Sequence, residues 1–297
     1  MADQITVGLV GTGKMGTPMT RNLLKAGFTV VVHNRSKAPV EALVAEGAVD
    51  GGSCKGVAER ADIIITSLTN QQSVRDVYLG DDGLVANARQ GQIYIDTSTN
   101  PPELVREVAE ALAQRGADYL DAPVSGGVAG AEAGTLTMMI GGELDTLERA
   151  RPVLDAIAAN LHLLGDVGSG TVVKLVNQLL VGINMAAVAE GLVLGVKAGA
   201  DPRKMLEVLS TSFGGSKMLD RGVPLIVERN FAGGTPVDLI RKDLGIIHEV
   251  AESLGVPLSV GGEASNVFDK ASEAGFGSND MTAIVRTLEE ATGIEVS

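Results

Sequence analysis

Lys174 and Asn177 stand three residues apart at the start of a long apolar stretch, and on a helix that spacing puts them on one face. An ammonium near the N-terminal end of a buried helix is disfavoured by the helix dipole and by desolvation alike, the condition in which it gives up a proton readily. The lysine suits proton transfer. A second group lies in Asp121-Ala122-Pro123-Val124-Ser125-Gly126-Gly127. There the Ser125 hydroxyl sits beside Gly126 and Gly127, whose N–H groups can converge on an anion, and a carboxylate is the natural guest.

The third group is Gly11-Thr12-Gly13-Lys14-Met15-Gly16, which directly follows the apolar run Ile5–Val10 and directly precedes a helical pattern. In that setting Gly11 permits a tight turn, Gly13 the close approach of a pyrophosphate, and Gly16 contact between helix and strand, so a dinucleotide is expected here. An acidic residue about 20 positions on would hold the ribose of NAD. The sequence has Asn34, Arg35 and Ser36 in that region, followed by Lys37. A guanidinium and a hydroxyl favour a 2′-phosphate, so NADP is the expected cofactor, with NAD possible. A fourth segment, Asp238 to Leu244, carries Lys242, which reads equally as a solvated helix position or as a cation serving the site.

These groups need a scaffold, and the chain supplies two kinds. From Ile5 to about Leu164, short β-branched runs alternate with helical patterns, the mark of a parallel sheet covered on both faces. The expected strands are Ile5–Val10, Phe28–His33, Asp62–Ser67, Gln92–Asp96, Asp118–Leu120, Thr135–Gly141 and Leu161–Leu164, with a helix over Glu143–Ala159 among others. Beyond Gly165–Gly170 the period is 3.6 residues with no convincing strand. The fold class is therefore α/β: an N-terminal doubly wound Rossmann domain over 1–165, then an all-helical domain over 166–297. The first helix of the second domain, about Thr171–Ala198, is apolar nearly all round and should be buried. Lys174, Asn177, Gln178, Asn184 and Glu190 interrupt it too often for a lipid span, which needs about 20 unbroken apolar residues.

The balance of 24 basic to 37 acidic residues gives a net charge of −13, which disfavours nucleic acid and anionic membranes as partners. The one cysteine, Cys54, excludes an intramolecular disulfide, and no leader is evident before Ile5, so a reducing, cytoplasmic setting is expected. His33, His162 and His248 lie outside the groups named above, which argues against a histidine-based dehydrogenase. No metal site is expected.

Taken together, the four segments resemble the β-hydroxyacid dehydrogenase family, which includes 3-hydroxyisobutyrate dehydrogenases and tartronate semialdehyde reductases, over nearly the whole chain from Gly8-Leu9-Val10-Gly11 to the final helix. The resemblance implies an NADP(H)-dependent oxidoreductase that interconverts a short β-hydroxy acid and its semialdehyde, of the 3-hydroxyisobutyrate or 2-hydroxy-3-oxopropionate type. It implies a homodimer or homotetramer with the active site in the cleft between the domains. In it Ser125, Gly126 and Gly127 would hold the substrate carboxylate, Lys174 would be the general acid/base, and Asn177 would orient the substrate oxygen. Thr97 or Ser98 would lie beside the nicotinamide, and Lys242 would close over the cofactor and substrate. Imine reductases and a non-catalytic NADP-binding relative share the fold but lack the lysine, so Lys174 counts against both readings.

Overall fold

A computed structural model of the chain describes residues 5–297; the four residues before Ile5, read above for a leader, lie outside it. The chain forms two compact units, Met1–Lys174 and Leu175–Ser297.

In the first unit six parallel strands, β1 (Thr6–Val10), β2 (Thr29–His33), β3 (Val49–Asp50), β4 (Ile63–Thr66), β5 (Ile93–Asp96) and β6 (Asp118–Asp121), pair in the order β3-β2-β1-β4-β5-β6. Helices α1 (Gly16–Lys25), α2 (Lys37–Ala45), α3 (Cys54–Ala58), α4 (Gln71–Leu79) and α5 (Pro102–Ala113) connect them. Alternate side chains of each strand enter separate cores: Leu9, Ile65 and Ile95 with Leu23 on one face, Val10, Ile64 and Tyr94 with Leu112 on the other. Burial on both faces explains why these strands are nearly continuous runs of Val and Ile. In register, His33, Val10, Thr66, Asp96 and Asp121 form a row across the carboxyl end of the sheet. The strand order reverses between β1 and β4, the place where such sheets bind ligands.

The doubly wound sheet is smaller than the sequence suggests. The segment expected to extend it instead builds a separate three-stranded sheet from β7 (Val124–Ser125), β8 (Leu136–Ile140) and β9 (Ala158–Leu163), in that order. Between them lie α6 (Gly127–Ala133) and α7 (Leu144–Leu154). The helix expected over Glu143–Ala159 stops at Leu154, because Ala158 pairs with Leu136 and Asn160 with Thr137. Strand pairing there overrides the helical preference of an alanine-rich segment.

The second unit is helical. The helix α8 (Ser169–Lys197) begins in the first unit and runs into the second, where α9 (Pro202–Leu209), α10 (Lys217–Val227), α11 (Val237–Ser253), α12 (Ser259–Ala271) and α13 (Val285–Thr292) follow. A π-helical turn, Ser272–Phe276, and a 3-10 turn, Met281–Ile284, link the last two. Met185, Leu192, Val223, Ile240, Leu244 and Phe268 belong to their shared core. Contrary to expectation, α8 is not buried all round. Val172, Val173, Val176, Leu180 and Leu194 are exposed, because its core contacts are confined to one side.

Candidate active site

The glycine turn sits at the end of β1. Gly11 has φ +97, and a Cβ on it would strike the carbonyl of Ser67 after β4; a Cβ on Gly16 would strike the Gly11 carbonyl. Only glycine lets β1, β4 and the start of α1 come this close. Gly13 is exposed and faces open space. The turn is held by Gly11 N donating to His33 O at 2.9 Å, Thr17 N to Gly13 O at 3.0 Å and Thr17 Oγ1 to Thr12 O at 2.8 Å. Lys14 is exposed and Met15 half-buried as α1 begins.

Two features fit this turn to a dinucleotide phosphate. The room in front of Gly13 admits a ligand up to the backbone, and the Thr12 hydroxyl is buried with no hydrogen-bond partner. A buried hydroxyl left unpaired costs free energy unless a ligand or water satisfies it. Past β2, Asn34 Nδ2 donates to Ser36 O at 3.1 Å, and the Arg35 side chain is exposed. Burial makes His33 harder to protonate, opposed by nearby Asp50.

At the ends of β4 and β5 lies a buried hydroxyl cluster around Asp96. Thr66 Oγ1 donates to Asp96 Oδ1 at 2.8 Å, Ser98 Oγ at 2.6 Å, and Asn100 Nδ2 to Oδ2 at 2.9 Å. Burial still raises the Asp96 pKa above the usual carboxylate range, although these hydrogen bonds pull it down. Thr97 Oγ1 donates to Thr66 O at 2.7 Å, and Ser98 Oγ accepts from Leu68 N at 2.9 Å. Thr97 and Ser98 are therefore fixed against the loop after β4, the same loop that Gly11 touches.

Asp121 stands out in the sequence only as the first residue of its segment. Its buried carboxylate accepts from the backbone N–H of Gly168 and of Thr171, each at 2.7 Å, and so caps the start of α8. Burial raises the Asp121 pKa in spite of these two bonds. Gly170 packs so closely that a Cβ would strike the Met139 carbonyl of β8. Carboxylate and glycine together pin the first turn of α8 to the ends of β6 and β8. One turn further on, Lys174 is 7% exposed and donates from Nζ to Val124 O at 2.8 Å. The lysine thus lies against β7, where Ser125, Gly126 and Gly127 follow. An aspartate shortly before a glycine-rich segment, matched to a Gly-x-Gly helix start, was the signal available for this link.

The second unit joins the two remaining site residues through a chain of polar side chains. Asn177 Nδ2 donates to Gln178 Oε1 at 3.0 Å, and Gln178 Nε2 donates to Asp243 Oδ2 at 2.6 Å. Asp243, 2% exposed, has its other oxygen 2.9 Å from Lys242 Nζ. This last contact is an ion pair and not a directed hydrogen bond. Gln178 and Asp243 were not among the expected site residues.

The two parts of the chain match two known families in sequence. Residues 6–165 match the NAD binding domain of 6-phosphogluconate dehydrogenase, and residues 168–288 the NAD-binding domain of NADP-dependent 3-hydroxyisobutyrate dehydrogenase. The chain is 41% identical over 298 residues to 2-(hydroxymethyl)glutarate dehydrogenase of Eubacterium barkeri, covering 100% of this chain and 99% of that one. It is 42% identical over 275 residues to 3-hydroxyisobutyrate dehydrogenase of Pseudomonas aeruginosa, covering 90% and 92%. Among solved structures, the 3-hydroxyisobutyrate dehydrogenase of Mycobacterium tuberculosis with L-serine superposes with a TM-score of 0.89 at 31% identity, over 96% of this chain and 99% of that one. A Rossmann sheet with its glycine turn, an all-helical second unit and full-length relatives of this kind make the chain an NAD(P)-dependent oxidoreductase of the β-hydroxyacid dehydrogenase family.

Proposed function

We propose that the chain interconverts a short β-hydroxy acid and its semialdehyde, with NADP(H) preferred and Lys174 as the general acid/base. The observation that carries this reading is the placement of Lys174, buried and 2.8 Å from Val124 O at the edge of the Ser125–Gly127 segment. A bound nicotinamide accepts or supplies the hydride. In the oxidative direction Lys174 takes the proton of the substrate hydroxyl while the carbon beneath it loses hydride, leaving an aldehyde; reduction reverses both movements. The Ser125 hydroxyl and the N–H groups of Gly126 and Gly127 hold the carboxylate, which fixes the reacting carbon relative to the lysine. Asn177, one turn along α8, orients the oxygen that gains or loses the proton.

The relatives support this substrate class. Those named for 3-hydroxyisobutyrate and for 2-(hydroxymethyl)glutarate act on acids bearing a primary hydroxyl on the carbon β to a carboxylate, and the superposed solved structure is one with L-serine, which has the same arrangement. We extend that arrangement to this chain. NADP preference rests on Arg35 and Ser36 following β2 without a carboxylate between His33 and Lys37. The exposed Leu180, Leu194 and Phe213 support burial against further copies of the chain, as a homodimer or homotetramer.

The test is cofactor reduction with 3-hydroxyisobutyrate, 2-(hydroxymethyl)glutarate and L-serine, each with NADP+ and with NAD+. Lys174→Ala should lower kcat by about 100- to 10,000-fold while NADPH binding, followed by fluorescence, is kept. Retained turnover in that variant would remove the assigned role, and failure of every β-hydroxy acid would remove the substrate class.

A further inference from the structure

Asn177 can meet a reacting group with either end of its amide, and the two ends do opposite things: the carbonyl oxygen accepts a proton donor, the NH2 group offers one. We infer that Gln178 and Asp243 are positioning residues that fix this choice, holding Asn177 with Oδ1 outward as an acceptor. The inference deepens the proposed function and rests on its assignment of Asn177 to the substrate oxygen.

The polarity runs inward from the ion pair. A carboxylate paired with Lys242 offers only lone pairs, so Gln178 must turn Nε2 towards it, as the 2.6 Å contact records. That places Gln178 Oε1 at the opposite end, where it accepts Asn177 Nδ2 at 3.0 Å. With one N–H of its amide held by Gln178, the Asn177 amide is fixed in the sense that presents Oδ1 at its other end. It therefore meets the reacting hydroxyl with an acceptor. Gln178 and Asp243 are 7% and 2% exposed, so water cannot readily substitute for either link. An amide in place of Asp243 could meet Gln178 with either end, whereas the carboxylate accepts only.

Two substitutions separate orientation from packing. Asp243→Asn is nearly isosteric but can present NH2 to Gln178, letting both amides reverse. The double variant Asp243→Asn with Gln178→Glu restores the direction, because a glutamate at 178 accepts from both neighbours, and it keeps the total charge. With 3-hydroxyisobutyrate, Asp243→Asn should lower kcat about 10- to 100-fold, the scale of a misplaced reacting group, with cofactor KM little changed. The double variant should recover most of that loss. In amide 15N spectra, the side-chain pair that disappears in Asn177→Ala should move in Asp243→Asn and return in the double variant, whether or not 3-hydroxyisobutyrate is turned over. A double variant no better than Asp243→Asn in the spectra, or an Asp243→Asn enzyme with unaltered spectra, overturns the inference. Normal spectra behaviour combined with full activity of Asn177→Ala would instead sink the role given to Asn177 and leave the relay standing as structure.

Discussion

Asp96 and Asp121 in the first unit are buried with no ion pair among the described residues, whereas Asp243 and Asp280 in the second are paired with Lys242 and Arg221. The pKa directions of Asp96, Asp121 and Asp280 follow this difference. Burial raises Asp96 and Asp121. Burial also pushes Asp280 upward, but the hydrogen bonds and charge of Arg221, with the Thr282 N–H, outweigh it and hold the carboxyl below its ordinary range. A parallel sheet exposes unpaired N–H groups where strands end and helices begin, so a carboxylate there can be satisfied by main chain. In the second unit Asp280 also accepts main-chain N–H groups, from Thr235 and Thr282, but its two oxygens meet the Arg221 guanidinium as well, and Asp243 takes the Lys242 ammonium and the Gln178 amide.

The largest effect expected from breaking this contrast is at Asp121. Asp121→Ala leaves the N–H groups of Gly168 and Thr171 without their acceptor, and two orphaned donors cost about 4 kcal/mol together. Calorimetry should record a fall in the transition of the first unit of about 10 °C. Because the same bonds seat the helix start that carries Lys174, turnover should fall with it. An Asp121→Ala protein that melts with the parent would mean that the cap contributes nothing.

That contrast also explains what the sequence could reveal. The glycine turn, the Ser125–Gly127 segment and Lys174 stand out because main-chain approach demands glycine at Gly11, Gly16 and Gly170, and glycine leaves a mark in the sequence. The β-branched strands were legible for a similar reason, since burial on both faces restricts each position. The relay through Gln178 and Asp243 leaves no such mark: its members are 65 residues apart, and each alone resembles an ordinary helix residue. The separate sheet of β7, β8 and β9 was hidden because pairing between Ala158 and Leu136 is a non-local event that a helical-looking local pattern does not announce.

A second, smaller effect probes the cation-paired side. Arg221→Ala takes the cation from the Asp280 carboxylate and leaves it the Thr235 and Thr282 donors, and the cost should be about 3 kcal/mol, the low end for a broken buried pair because Arg221 is one-third exposed. The pH dependence has a definite sign. A carboxyl held below its unfolded value contributes stability at neutral pH that is lost as pH falls through its folded pKa. Parent and Arg221→Ala proteins should therefore differ most at pH 7 and converge below about pH 4, as read from urea unfolding at several pH values. Raised carboxyls such as Asp121 behave oppositely, their burial penalty being relieved as pH falls, but they are common to both proteins and cancel in the difference. A difference that stays constant with pH would show that Arg221 acts by packing alone.

The smallest effect concerns Arg35, at the exposed margin of the first unit. Here the binding charge would be neither buried nor fixed by main chain, and salt screens such a contact over about 8–10 Å. Arg35→Asp should still raise the KM for NADP+ about 10- to 100-fold, the worth of a hydrogen bond to a charged group together with a new repulsion, and leave that for NAD+ nearly unchanged. The effect should shrink as ionic strength rises, unlike the losses at Asp121 and Asp280, which lie out of reach of mobile ions. Equal changes for both cofactors would show that Arg35 shapes the loop and does not read the 2′-phosphate. A salt-independent change would place its partner inside the protein, against the exposure observed for the side chain.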